Sequence, residues 1–295
     1  MFKNLCPPAL GISGRDSEII ELAMSHGFKG IDVDLVEFAE QAKTQGVARA
    51  SRLITSARLK FGSFRLPVRW SDDSPDYQAD LEKFASLAPL AAEIGCTRAT
   101  TIVEPGSERR PYHENFEFQR RRLAELGDAL RPHKMRLGVG FLAPVKCRAG
   151  CRFQFMQTLD EIALLVRSVG AANVGLAFDS WHWHLGGGTL ESLRALSADA
   201  IVTVSLADAA PNTTAADARL EERLIPGGGA IDMAALLTAL ADLHYDGPVT
   251  PAPDKSQFAG LGRDKIVKLV GAALETLWKG AGLNAAGRRS AVPGR

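Results

Sequence analysis

The chain has 295 residues, of which 46% are hydrophobic and 23% charged, and its 35 Lys and Arg residues nearly balance its 34 Asp and Glu residues, giving a net charge of +1. A chain this close to neutral has no net field to hold a polyanion, which argues against nucleic acid and membrane surfaces as partners. No apolar run approaches the roughly 20 residues that cross a bilayer, and the composition excludes a disordered chain.

The cysteines give no sign of a disulfide scaffold, since the chain has only 4 of them: Cys6, Cys96, Cys147 and Cys151. No charged and apolar leader precedes the first structured segment, so we expect a cytoplasmic protein. Cys147 and Cys151 lack a second Cys or His pair at a matching distance, so we do not expect them to form a zinc site.

Short apolar segments alternate along the chain with longer segments of helical period, which is typical of βα units around a parallel sheet. The predicted strands are Leu10–Ser13, Gly30–Leu35, Gly62–Val68, Arg98–Glu104, Leu137–Leu142, Val174–Asp179, Ile201–Asp208 and Pro248–Pro251. The predicted helices are Ser17–His26, Glu37–Leu59, Tyr77–Ile94, Glu114–Leu130, Leu159–Val169, Leu190–Leu196, Met233–Leu243 and Lys265–Lys279. Eight strands, each followed by a helix, predict an α/β fold of the (β/α)8 or TIM barrel type.

The competing fold is an open doubly wound sheet, but Leu10–Arg15 lacks the G-x-G-x-x-G turn that usually follows the first strand of such a sheet. We therefore predict one barrel domain over residues 1–280. Residues 281–295 are rich in Gly, Ala and Arg and are predicted to form a flexible C-terminal tail.

Polar residues at the ends of the predicted strands are the first candidates for function, because barrels bind ligands at the C-terminal ends of their strands. The second strand ends in Asp32-Val-Asp34, whose alternation sends both carboxylates to one side. The third strand carries Arg65, the fourth ends in Glu104, and the long loop that follows carries His113. This loop is as consistent with an exposed helix start as with an active site.

The segment Asn173–Gly188 carries the strongest local signal for chemistry. An apolar strand ends in Asp179, and His182, His184 and a run of three glycines follow it. A carboxylate with two imidazoles can bind a divalent metal or transfer protons. The alternative is that the intervening tryptophans pack in the core while the histidines form local hydrogen bonds.

Three segments together resemble the xylose-isomerase-like TIM barrel superfamily, which includes sugar phosphate isomerases and epimerases and endonuclease-IV-like proteins. They are Gly170–His184, Arg223–Asp232 and Tyr245–Val249. The resemblance implies one divalent cation (Mn, Mg, Co or Zn), held by a Glu closing strand five, an Asp closing strand six, a His on strand seven and a Glu on strand eight. It also implies a substrate-facing Arg before a Pro-Gly motif.

This chain departs from the ligand pattern that the resemblance implies. Asp179 matches the family Asp and Arg223 the family Arg, but Gly140, Ser205 and Ala252 stand where the other three metal ligands are expected. Glycine and alanine have no side-chain donor, and serine is a poor metal ligand. We therefore predict a divergent member with an altered or lost metal site, and either no cofactor or a weakly bound divalent cation.

The predicted function is that of an isomerase or epimerase that acts on a carbohydrate or polyol-like small molecule by proton transfer next to a carbonyl. Asp179 and His182 are the predicted catalytic residues, with Glu104 or His113 as partner, and the same Asp179 and His182 are the remaining candidate metal ligands. The predicted substrate-binding residues are Asp34, Arg65, Lys146, His184 and Arg223. The alternatives are a non-catalytic barrel that binds a sugar or a protein partner, and a lyase or dehydratase on the same scaffold. The resemblance also implies a homodimer or homotetramer.

Overall fold

A computed structural model of the chain describes residues 1–71 and 73–289. Its strands are β1 (Phe2–Leu5), β2 (Gly30–Ile31), β3 (Lys60–Phe61), β4 (Phe64–Arg65), β5 (Arg98–Ile102), β6 (Gly106–Ser107), β7 (Arg136–Gly140), β8 (Phe153–Gln154), β9 (Val174–Asp179), β10 (Ile201–Leu206) and β11 (Pro248–Pro251). Its α-helices are α1 (Asp16–Ser25), α2 (Leu35–Gln45), α3 (Val47–Ser56), α4 (Tyr77–Glu93), α5 (Tyr112–Leu130), α6 (Leu159–Val169), α7 (Ser180–Leu185), α8 (Leu190–Arg194), α9 (Met233–Asp242) and α10 (Arg263–Gly280).

Nine of these strands form one parallel sheet, in the order β3-β2-β1-β11-β10-β9-β7-β5-β4. The two outer members, β3 and β4, are consecutive in the chain and are separated only by Gly62 and Ser63. Together they fill one position, so the sheet closes into the predicted (β/α)8 barrel. The short strands β6 and β8 pair with each other in the loops after β5 and β7, at the end of the barrel where ligands bind in this fold.

The chemistry at helix ends agrees with the sequence pattern. At the start of α6, Thr158 accepts the Glu161 N–H while the Glu161 carboxylate accepts the Thr158 N–H, and the helix ends at Gly170 with φ +71°. The buried face of α6 joins a single apolar cluster that extends from the barrel interior to the helix layer. The barrel is therefore a filled core, and its polar positions lie near the strand ends.

The predicted first strand, Leu10–Ser13, is wrong. The strand is β1, which pairs in parallel with both β2 and β11, and the prolines Pro7 and Pro8 follow it. Proline has no N–H for a ladder, and Leu10 lies in a short 3-10 turn that ends at Gly11 with φ +65°. Leu10 and Ile12 are buried, but they anchor an otherwise largely exposed loop rather than a strand.

Other boundaries also differ from the prediction, two of them near the start of the chain. The helix predicted over Glu37–Leu59 is two helices, α2 and α3, separated at Gly46, whose φ of +83° no helix interior accepts. The strand predicted over Gly30–Leu35 ends at Ile31, because α2 already begins at Leu35.

The beginning of the predicted tail contacts the barrel. Ala281 and Leu283 are buried, and the Arg289 guanidinium lies 3.0 Å from the Asp242 carboxylate. The rest of the predicted tail, residues 290–295, lies outside the described residues. In the described part of the chain no helix has the length and apolar character needed to span a membrane.

Candidate active site at the barrel mouth

Asp179 lies at the end of β9, where the strand turns directly into α7. Its Oδ1 accepts the N–H groups of Trp181 (3.0 Å) and His182 (3.1 Å), so this carboxylate caps the helix. The Arg223 guanidinium donates to both carboxylate oxygens, from Nη1 to Oδ1 at 3.3 Å and from Nη2 to Oδ2 at 2.6 Å. The two side chains are only 18% and 12% exposed, so Asp179 is a largely buried, charge-paired carboxylate.

Arg223 spans three neighbouring strand ends. Its Nε donates to the Ala252 carbonyl just after β11, at 2.9 Å, while its Nη atoms contact Asp179 at the end of β9. The strand between these two is β10, so the guanidinium crosses the end of β10. Its Cζ also lies 5.4 Å from the centroid of the Trp181 ring, within the range of a cation–π contact.

Asp208 holds the loop that carries Arg223. This completely buried side chain accepts the backbone N–H groups of Gly227, Gly229 and Ile231, each at 3.0 Å. Its own backbone pairs with that of Leu224 in both directions, at 3.0 and 2.9 Å. A Cβ atom at Gly229 would lie 2.2 Å from the Ala209 oxygen, so only glycine fits. The Pro-Gly-Gly-Gly motif therefore folds around a carboxylate and fixes Arg223.

His182 is buried beside this pair and is neutral. Its Nδ1 accepts the Ala143 N–H at 3.2 Å, which places the ring proton on Nε2. Burial lowers the pKa of His182 to about 4, although the neighbouring Asp179 carboxylate opposes this shift. At neutral pH the ring can thus donate a hydrogen bond from Nε2, but it is a weak base.

Asp179 is ionised. Burial is the largest single influence and by itself would raise the pKa of this carboxyl, but Arg223, together with His182 and its N–H, outweighs burial and keeps the pKa below its usual value. A paired carboxylate of lowered pKa is a poor proton acceptor. Its geometry suits a group that orients Arg223.

A second inward-facing carboxylate lies on the other side of the barrel. Asp32 follows β2, and its Oδ1 accepts hydrogen bonds from Asn4 Nδ2 (2.8 Å), the Ser63 N–H (2.6 Å) and Ser63 Oγ (3.1 Å). Burial raises the pKa of Asp32, although these hydrogen bonds oppose the shift. Asp32 and Asp34 also line a cavity of about 310 Å³, whose other walls are the loop after β1 and the helices α1, α2 and α3.

Side-chain and register contacts connect Asp32 with Asp179 across the sheet. Asn4 Nδ2 donates to Thr250 Oγ1 at 3.0 Å as well as to Asp32. Thr250 is the register partner of Ser205, and Ser205 is the partner of Asp179. Going from β2 through β1, β11 and β10 to β9 covers half of the closed sheet, so Asp32 and Asp179 stand on opposite sides of the interior.

The sequence contained a signal for the Asp32 cluster, although we predicted Asp34 instead. A Cβ atom at Gly62 would lie 2.3 Å from Asn4 Oδ1, and one at Gly30 would lie 2.8 Å from it. Both glycines stand at predicted strand starts, where a missing side chain indicates close approach by another group. Asn4 was not a predicted site residue, because it lies on β1 and this strand was not predicted.

The other predicted site residues lie away from Asp179 and Arg223. Asp34 is exposed, and its Oδ1 caps α2 by accepting the N–H groups of Val36 (2.9 Å) and Glu37 (3.1 Å). His184 is partly buried in α7. The remaining four are exposed, and no contact joins them to Asp179, His182 or Arg223 within the described residues: Arg65, Glu104, His113 and Lys146. The Lys146 ammonium donates to the carbonyl of Asp217.

The donor set does not fit the metal ion that the family resemblance implies. Asp179 is the one carboxylate of that set, and Arg223 and the helix N–H groups already engage both of its oxygens. Gly140 and Ala252 offer no side-chain donor. In the part of the chain that the structure describes, no group of three or more His, Cys, Asp or Glu residues could hold a metal ion.

Comparisons with known proteins agree with this architecture. A family model described as xylose isomerase-like TIM barrel matches residues 20–271. An inosose isomerase of Bacillus velezensis is 24% identical over 254 residues, which are 84% of this chain and 87% of the relative.

Two solved structures cover nearly the whole chain. A xylose isomerase domain protein from Alicyclobacillus acidocaldarius has a TM-score of 0.85 and 26% identity, over 95% of this chain and 99% of the other. The IOLI protein with a bound zinc atom has a TM-score of 0.78 at 18% identity, over 96% and 98%, a likeness of fold. The fold, the match over most of the length and the motif around Arg223 lead to one conclusion: the chain belongs to the xylose isomerase-like TIM barrel family.

Proposed function

We propose that the protein is an isomerase or epimerase of a small polyhydroxylated carbonyl compound of the inosose class, and that it moves a proton on the carbon next to the carbonyl. The observation that carries the proposal is the fixed Asp179–Arg223 pair at the mouth of the barrel. The relationship to inosose isomerases along most of the chain supports this substrate class.

In this proposal Arg223 binds the substrate oxygens. A guanidinium has five N–H donors, and three of them donate to Asp179 and Ala252. The two that remain have no acceptor among the described residues and can bind the carbonyl and a neighbouring hydroxyl. Such donors stabilise the negative charge that develops on the carbonyl oxygen when the adjacent proton leaves. The Nε2–H of His182 is a further donor of this kind.

Asp32 is our candidate for the group that moves the proton. Asp179 is held by a cation, whereas the donors to Asp32 among the described residues are all neutral, and the pKa of Asp32 is raised. A carboxylate with a raised pKa is a better base near neutral pH. The earlier candidates for partner, Glu104 and His113, are exposed and are the alternatives that the experiment below tests.

The experiment is solvent deuterium exchange, followed by NMR, into inososes and keto sugars. We expect exchange next to the carbonyl with the unaltered protein and a loss of 100-fold or more with Asp32→Asn, in line with the usual contribution of a general base. Asp128→Asn, on an exposed ion pair of α5, is the matched control. Exchange that survives Asp32→Asn but is lost in Glu104→Gln or His113→Asn would assign the proton transfer to the exposed loop.

A non-catalytic sugar-binding barrel is the second candidate function. It is favoured by the side chains that contact or adjoin Arg223, because both Asp179 oxygens and His182 Nδ1 are already engaged and neither group is free to act as a base. Saturable binding of an inosose without any exchange would support it. Loss of water from the substrate in the same NMR experiment would instead indicate a dehydratase, which begins with the same proton abstraction.

A further inference from the structure

We infer that the Arg223 guanidinium is the permanent cation of this site and takes the place of a divalent metal ion beside Asp179. The inference concerns the cation and does not depend on the substrate proposed above. It follows from where the guanidinium lies, from the charges around it, and from the side chains that are absent.

The first observation is position. The family resemblance places the metal among the ends of four neighbouring strands, which in this chain carry Gly140, Asp179, Ser205 and Ala252. The guanidinium contacts both carboxylate oxygens of Asp179 and the carbonyl oxygen of Ala252. It thus joins the end of β9 to the end of β11 and passes over β10, which are three of these four strand ends.

The second observation is charge. In the implied family site, two Glu, one Asp and one divalent ion leave one negative charge, which the family Arg neutralises. This chain lacks both Glu residues, and the Asp179–Arg223 pair is neutral without any ion. A divalent ion added here would bring two positive charges that the already charge-paired Asp179 does not balance, and buried unpaired charge is strongly unfavourable.

The third observation concerns Gly140, where the family resemblance implies a Glu ligand: the packing there leaves room for a Cβ atom. A Cβ atom at Gly140 would have its nearest neighbour, the Ala177 oxygen, at 3.5 Å, which is ordinary contact. The backbone of β7 therefore has room for a Cβ atom at the position of the family ligand. The side-chain donors have been lost while the barrel around them has been retained.

A guanidinium differs from a metal ion in ways that matter for the site. It presents directional N–H donors in a plane, stays charged at all relevant pH values, and is covalently part of the chain. Asp179 orients it, Ala252 fixes its Nε, and the Trp181 ring lies against it. Binding at this site should therefore be insensitive to chelators.

The first experiment measures metal directly. The unaltered protein and Asp179→Asn are dialysed against Mn²⁺ or Zn²⁺, and bound metal is determined by elemental analysis and by calorimetric titration. We expect no stoichiometric metal that depends on Asp179. One equivalent of metal in the unaltered protein that is absent from Asp179→Asn would overturn the inference. Because this comparison includes the unaltered protein, it gives a result even where a variant does not fold.

The second experiment removes the Arg223 side chain and supplies free guanidinium ion from solution in its place. Arg223→Ala is titrated with guanidinium chloride at non-denaturing concentrations, and the Trp fluorescence is recorded, since Trp181 lies against the guanidinium. We expect a saturable change in Arg223→Ala that is absent from the unaltered protein and from Arg223→Ala combined with Asp179→Asn. The control is Arg219→Ala, an exposed residue four positions earlier that is paired with Glu222. No saturable change in folded Arg223→Ala, or an equal change in Arg219→Ala, would contradict the assigned position.

Discussion

Asp179 and Asp32 each lie where a parallel strand of one barrel ends, β9 and β2 respectively, but their surroundings differ. Asp179 contacts a guanidinium and two helix N–H groups, and its pKa is lowered. Asp32 contacts an amide, a hydroxyl and one backbone N–H, and its pKa is raised. The comparison shows that the groups around an Asp carboxyl, rather than the residue type, determine the direction in which its pKa shifts. The carboxylate that the family motif identifies is committed to a cation, and the one without a motif retains the properties of a base.

The largest expected effect is a difference in the free energy of unfolding between the variants Asp179→Asn and Asp32→Asn. Asp179→Asn leaves Arg223 largely buried without a counter-charge and should lower the free energy of unfolding by about 3 kcal/mol. Asp32→Asn should change it by less than about 1 kcal/mol, because an amide oxygen accepts the same neutral donors. Urea unfolding of both variants at pH 7, beside Asp128→Asn, measures the difference. Equal losses in the two variants would contradict it.

The next effect is a pH dependence on the Asp179 side. Because the pKa of His182 is about 4 in the folded protein and about 6.5 when unfolded, the unfolded chain binds more protons between these values. The stability that His182 contributes is therefore complete above pH 6.5 and is lost as the pH falls to 4, by up to about 3 kcal/mol. The lowered pKa of Asp179 adds a loss at still lower pH.

The measurement is the unfolding free energy from pH 4 to 7. His182→Asn keeps an acceptor for the Ala143 N–H and should flatten the curve over this range. His244→Asn, at an exposed position on the other end of the barrel, should leave the slope of the unaltered protein intact. A slope that persists in His182→Asn would show that another group titrates.

A smaller expected effect is the difference in stability between alanine substitutions at Gly62, beside Asp32, and at Gly140, at the end of β7. Gly62→Ala puts a Cβ atom 2.3 Å from Asn4 Oδ1 and 2.4 Å from Asp32 Oδ1, so it should destabilise the fold by about 2 kcal/mol through overpacking. Gly140→Ala, with no contact under 3.5 Å, should change stability by less than about 0.5 kcal/mol. Thermal unfolding of the two variants tests this, and a large loss for Gly140→Ala would mean that the β7 end is closed to side chains.

The smallest effect distinguishes Asp32 from its neighbour Asp34. Asp34→Ala removes the cap of α2 and should cost about 1 kcal/mol, whereas Asp34→Asn should cost only a few tenths, because Asn is also a good cap. Chemical unfolding of both variants provides the comparison. A loss in Asp34→Asn as large as in Asp34→Ala would show that the negative charge itself is needed.

The sequence predicted the barrel because each βα unit carries its own period and end signals. It also identified Asp179, His182 and Arg223, since they lie in local motifs. Their pairing was not predictable, because Asp179 and Arg223 are 44 residues apart and only the closed sheet brings them together. From the sequence, Asp179 had the features of a base or a metal ligand. The residues next to it in the chain did not indicate that the Arg223 guanidinium pairs with both of its oxygens.

The preference for Asp34 over Asp32 has a physical cause. Alternation along a strand sends both side chains to one side, but here the strand ends at Ile31 and the helix begins at Leu35. Asp34 was readable as a helix cap, because Asp is a favoured capping residue. The cluster around Asp32 depends on Asn4 and Ser63, which come from two other strand ends and share no pattern with it.

The Asp208 carboxylate has a consequence for the thermodynamics of ligand binding. It gathers the backbone N–H groups of the loop that follows Arg223, so this loop is ordered when the protein folds. The conformational entropy of positioning the guanidinium is therefore lost during folding, and a ligand does not have to supply it. Association at this mouth should show a small entropic penalty and little rearrangement, as expected of a rigid receptor whose shape precedes its ligand.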